Sequence, residues 1–128
     1  MYLLDTNIFL EILLQRRNRK AAKDIFAANP STDLFMTDFS LHSIGVFLFQ
    51  KGKQDIYDHF VNDMIIKTGI SVIGLDEKDT VMLVRVSKQF GLDFDDAYQY
   101  TAAEKYGLHI LSFDSDFDRT EKGRMIPA

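Results

Sequence analysis

The chain has 128 residues, 46% of them hydrophobic and 27% charged, the make-up of an ordinary globular domain able to bury a real core. It contains no cysteine, which excludes disulfides, thiolate nucleophiles and cysteine-bound zinc. The net charge of −4 argues against a protein that coats nucleic acid by bulk electrostatics, yet leaves room for a local grip on phosphate through bound metal. The length suits a single domain over residues 1–128. No basic segment leads into an apolar signal core at the start, and no apolar run approaches membrane-spanning length, so cytoplasmic residence away from membranes is expected.

In chain order, residues 1–4 read as a buried strand, and Asn7 caps a helix running through Leu14. Asn18 starts a second helix that ends near Asn29-Pro30, and residues 34–37 form another short strand. A strongly apolar helix covers 40–50 and stops before Gly52. The next covers about 54–67, with Ile56, Phe60, Met64 and Lys67 on one stripe. Residues 70–73 are a strand between glycines, and 76–90 are a helix closed by Gly91. Asp93 caps a last long helix that ends before Gly107. Residues 108–113 are a strand, and Met125-Ile126 form a short edge strand. Alternating strands and helices predict an α/β fold, a three-layer α/β/α sandwich with a central parallel sheet of about four to five strands.

Acidic residues fall where this pattern changes state. Asp5-Thr6-Asn7 closes the first strand and Asp114-Ser115-Asp116 follows the strand over 108–113, while Asp93, Asp95 and Asp96 open the helix between them. Right-handed crossovers bring the ends of these two strands to one rim, where open parallel sheets bind their ligands. Carboxylates gathered there repel one another unless a cation compensates, and an all-oxygen donor set suits Mg²⁺ or Mn²⁺. Singly, each group also reads as a helix cap, a first-turn acid or a polar turn. Arg16, Arg17, Arg19, Lys20 and Lys23 form one basic stretch, either a solvated helix start or a phosphate contact. His42 reads as packed or hydrogen-bonded, and Tyr98 and Tyr100 as core and surface positions and not as base-stacking platforms.

These residues resemble the PIN-domain ribonucleases, in particular the compact VapC-like toxins. That family opens with a strand followed by D-T/S-N/S, here Asp5-Thr6-Asn7. It places an Asp-Ala pair at the start of a late helix, here Asp96-Ala97, and ends with T/S-x-D-x-D-F, here Ser112 to Phe117. The resemblance implies a PIN-like fold with Asp5, Asp96 and Asp114 as metal ligands and Asp116 close by, directly or through water. Asn7 and Ser112 would orient ligands or phosphate. One position departs from the pattern: Ser43 stands where the family places a second metal-site glutamate, and Asp38, at the end of the second strand, is the candidate to substitute for it in space.

The implied activity is metal-dependent hydrolysis of RNA phosphodiester bonds with Mg²⁺ or Mn²⁺. The implied partners are RNA, an antitoxin protein and a second copy of the chain, with Arg16, Arg17 and Arg19 as RNA contacts. The missing glutamate keeps open a weakened PIN module that binds RNA or protein without efficient cleavage. A haloacid-dehalogenase-like phosphatase is the third reading, disfavoured because Asn7 stands at the second acid of its D-x-D opening.

Overall fold

The computed structural model describes residues 1–127, so the last residue of the expected 1–128 span lies outside the described residues. Strands β1 (Tyr2–Leu4), β2 (Leu34–Thr37), β3 (Ser71–Ile73) and β4 (His109–Leu111) make one parallel sheet in the order β3-β2-β1-β4. Successive strand side chains point to opposite faces. Leu4, Leu34, Met36 and Leu111 therefore meet one layer, built from α1 (Thr6–Leu13), α2 (Arg19–Ala28), α3 (Asp38–Gln50) and α4 (Gln54–His59). Leu3, Phe35 and Ile110 meet the other, built from α5 (Glu77–Phe90) and α6 (Phe94–Tyr106). Burying each such side chain contributes about 2 kcal/mol. A one-residue slip of a strand would exchange its two faces, so burial on both sides fixes the register. This is the expected α/β/α sandwich, with four strands.

The strand order places the site. From β1 the chain steps through β2 to β3 at one edge, whereas β4 joins β1 from the other side. Leu4 lies opposite Leu111, and the Asp5 N–H extends the ladder to the Leu111 carbonyl at 3.0 Å. The carboxyl ends of β1 and β4 thus lie side by side at the reversal of strand order, where a crevice forms.

Element boundaries differ from expectation wherever a side chain competes for a cap. Asp5, not Asn7, caps α1. Thr37 caps α3, which starts at Asp38, two residues before the expected position 40. The expected helix over 54–67 is α-helical only to His59, and Phe60–Ile66 continue with π-type turns. Strand β4 is limited to three residues because Ser112 turns its hydroxyl into the site and the chain bends there. The edge strand at Met125-Ile126 reduces to one parallel bridge between Leu111 and Met125. No helix among the described residues is long and apolar enough to cross a membrane.

Candidate metal centre

Asp5, Asp96 and Asp114 converge at this rim: one carboxylate oxygen from each lies within 4.8 Å of the others. Asp5 leaves β1 and caps α1, Asp96 sits in the first turn of α6, and Asp114 follows β4. Asp5 and Asp96 are buried and Asp114 half-buried.

Ser112 organises the group. Its hydroxyl donates to Asp5 Oδ2 at 2.7 Å and accepts from the Asp114 N–H at 2.8 Å and from Asn7 Nδ2 at 3.3 Å. A hydroxyl has one proton to give, so these contacts leave it a single orientation. The Thr6 N–H holds the other Asp5 oxygen at 2.8 Å. Asn7 Oδ1 accepts from the Phe113 N–H at 3.4 Å, tying α1 to the segment that carries Asp114. Asn7 and Ser112 thus lie beside the acids.

Electrostatics set this cluster apart. Burial pushes the Asp5 carboxyl up to about 7; the Ser112 hydrogen bond opposes the rise, and the charges of Asp95 and Asp114 add to it. Burial raises Asp96 to about 8, helped by Asp114, Asp93, Asp5 and Asp95 in that order. Among the described residues no lysine or arginine forms an ion pair with Asp5, Asp96 or Asp114. Converging carboxylates, two of them buried and those of Asp5 and Asp114 held by hydrogen bonds, without a positive partner among the described residues, fit a hard divalent cation, whose charge would reverse the upward shifts.

Two expected acids do not join the group. Asp116 is half-exposed and pairs with Arg119 at 3.1 Å, while its backbone N–H holds Asp114 Oδ1 at 2.9 Å. Asp38 Oδ1 accepts from the Tyr98 hydroxyl at 2.7 Å and from the Phe39 N–H at 2.8 Å. Its other oxygen packs on Gly74 so closely that a Cβ there would lie 2.6 Å away, so Asp38 is committed to the β3–α5 corner. Ser43 is half-buried on α3 and borders a surface hollow with Phe39, His42 and Phe47. Arg16, Arg17 and Arg19 are exposed beyond the far end of α1. Eight helical residues put them about 12 Å from Asp5 along the axis.

Sequence reasoning named Asp95 among the clustered acids without giving it a role, and missed Gln99 and Arg124. Asp95 is half-buried beside the cluster, its carboxyl raised by burial against an opposing Gln99 hydrogen bond, with Asp93 and Asp114 adding repulsion. Gln99, one turn along α6, is fully buried and bonds both Asp95 and Ser40. The polar pair Asp95/Gln99 at i,i+4, on a helix otherwise rich in apolar side chains, was the available signal. Arg124 braces the loop after β4, bonding Asp118 through two nitrogens and donating to the Ser112 carbonyl at 3.2 Å. Nothing in the spacing marked it.

The profile of the PIN domain matches residues 2–123. The chain belongs to the PIN-domain family. Among solved structures it resembles a toxin–antitoxin complex from Klebsiella pneumoniae at 19% identity and TM-score 0.77, covering 100% of this chain and 98% of that one. The structure of FitAB bound to an IR36 DNA fragment matches at 14% identity and TM-score 0.84, covering 99% and 95%. VapC20 of Mycobacterium tuberculosis, described as a sarcin-ricin-loop-cleaving toxin, matches at 16% and 0.74, covering 98% of each chain. At such identities the likeness concerns the fold. No curated protein sequence matches the chain significantly.

Proposed function

We propose that this protein is a divalent-metal-dependent endoribonuclease acting as the toxin of a toxin–antitoxin pair. The observation that carries the reading is the convergence of three carboxylates from both ends of the chain, two of them buried, without a cationic partner. Asp5, Asp96 and Asp114 would hold Mg²⁺ or Mn²⁺, which supplies an activated water and offsets charge on the scissile phosphate. The protein's own part is positioning. Ser112 fixes the Asp5 carboxylate, Asn7 and the Asp116 N–H fix the segment bearing Asp114, and Asp5 and Asp96 release their protons as the cation enters. Asp116 acts through its backbone and its Arg119 pair. Arg16, Arg17 and Arg19 engage phosphates distant from the cut, given their separation from the rim. The toxin–antitoxin complex of similar fold supports an antitoxin partner, and the exposed apolar side chains Val81, Met82 and Val84 on α5 offer it a surface.

The test is cleavage of an RNA panel, with ribosomal stem-loops included, in Mg²⁺, in Mn²⁺ and in chelator, with Asp5→Asn as control. Cleavage that survives chelation or Asp5→Asn would refute the metal mechanism. The Ser43 departure favours a second reading, an RNA-binding module that cuts poorly. Tight, salt-sensitive RNA binding without turnover in either metal would select it.

A further inference from the structure

The family's second acid is a glutamate, and at its position this chain has Ser43. Asp38, the acid nearest in sequence, is bound by Tyr98 and packed on Gly74. A different residue is placed to replace the lost charge. Asp95 precedes Asp96 in the first turn of α6, half-buried, and its Oδ1 accepts from Gln99 Nε2 at 3.3 Å. Gln99 is wholly buried and spans from Asp95 to the hydroxyl of Ser40. Ser40 in turn bonds the hydroxyls of Thr6, at 2.7 Å, and Thr37, at 3.2 Å. This chain of hydroxyls runs from α1 and α3, the helices that flank the rim, to Asp95, and it holds the acid from inside.

A second observation points to a ligand. Gln99 shares its amide nitrogen between Ser40 and Asp95, while its own Oε1, also buried, has no hydrogen-bond partner among the described residues. A buried amide oxygen without a donor is costly. Mg²⁺ and Mn²⁺ keep part of their water shell at protein sites, and such waters are donors of the kind this oxygen lacks. A solvated first-turn acid would need neither a buried clamp nor a neighbour left unpaired.

We propose that Asp95, positioned by Gln99, serves as the fourth acid of the metal centre in place of the absent glutamate. The assignment rests on the metal-centre reading above and concerns a residue outside the converging triad. The charge count of the centre is thereby restored from α6 instead of α3.

The experiment is calorimetric titration of Mn²⁺ alone into the metal-free full chain at neutral pH, for wild type, Asp95→Asn, Asp96→Asn and Asp95→Asn/Ser43→Glu. Melts in chelator establish that each variant is folded, and Asp95→Ser serves if Asp95→Asn is not. Asp95→Asn should weaken Mn²⁺ binding by about tenfold or more, and adding Ser43→Glu should recover part of the loss. Gln99→Met, which leaves the acid but removes its clamp, should give a smaller loss. Wild-type affinity in Asp95→Asn, with affinity lost in Asp96→Asn, would overturn the role of Asp95 and leave the metal centre standing. No Mn²⁺ binding by wild type would overturn both.

Discussion

The starts of α5 and α6 are built alike and behave in opposite ways. Asp76 caps α5 by accepting the Asp79 N–H at 3.0 Å, and Asp93 caps α6 by accepting the Asp96 N–H at 2.9 Å. Both third positions are aspartates. Asp79 turns back to the Asp76 N–H at 2.9 Å, completing a capping box, and pairs with Lys105. The Lys105 hydrogen bond holds its carboxyl below the ordinary range. Asp96 turns away from its cap toward Asp5 and Asp114, and burial with like charge raises it to about 8. Local sequence makes the cap in each case; what lies across from the third residue decides whether the acid is satisfied or waits for a cation.

The largest effect expected of this contrast is on metal. Asp96→Asn should abolish most of the Mg²⁺- or Mn²⁺-induced rise in Tm and lower RNA cleavage by about 100-fold or more. Asp79→Asn should leave both unchanged. A metal-induced shift that survives in Asp96→Asn would show that the two caps do not differ in function.

The pH dependence of metal-free stability comes next. Asp5 and Asp96 have folded values of about 7 and about 8, above the carboxylate range of an unfolded chain. The folded state therefore binds more protons than the unfolded state, and stability falls as pH rises through these values. Asp79 has the opposite sign: its lowered value adds stability above the ordinary carboxylate range, lost as pH falls through the folded value. Chelated wild type should thus melt lower at about pH 8 than at about pH 6, and Asp96→Asn should flatten this slope. A slope unchanged in Asp96→Asn would mean that Asp96 is ionised without strain.

Removing the caps themselves gives a smaller effect. Asp76→Ala should cost about 1 kcal/mol, or roughly 4 °C in Tm for a domain of this size. Asp93→Ala loses a cap of the same kind but also removes a negative charge that raises Asp96. In chelator above about pH 7 its cost should fall short of the Asp76→Ala cost. With Mn²⁺ bound the two costs should converge, since the repulsion is then neutralised. Equal costs in chelator would remove Asp93 from the electrostatics of the site.

How much of this was legible depends on the range of the interaction. Strand alternation and helix spacing are local, so the layers and the rim could be read from Leu3/Leu4 and from Ile110/Leu111. Asp5 and Asp114, though distant in sequence, could be paired because strand ends and crossover handedness constrain where they go. Asp116 misled because its distance in sequence from Asp114 says nothing of Arg119, which takes its carboxylate. Asp38 could not be judged without Tyr98 and Gly74, which come from later elements. Asp95 stood in view as a first-turn acid, but its importance depends on Gln99 and on Ser40 of another helix. The caps of α1 and α3 shifted for a related reason: Asp5 and Thr37 could each cap a helix, and only the fold selects where the turn begins.

The smallest effect on stability should come from charges far from the rim. Arg16 and Arg17 are exposed and pair with no acid among the described residues, while Arg19 donates to the Arg16 and Gln15 carbonyls at 3.1 and 3.4 Å. Replacing all three by alanine should move Tm little, and should change neither the metal-induced shift nor its pH slope. RNA binding is the separate readout. If each arginine neutralises one phosphate of a single strand, the slope of log affinity against log salt should fall by about 2 in the triple variant. Base preference and cut position should stay as in wild type, because phosphate contacts position the strand without reading it. An unchanged salt slope would return the arginines to the solvated face of the α1–α2 connection. A lowered metal-induced shift would instead mean that charge at the far end of α1 reaches the rim, against the roughly 12 Å of helix between them.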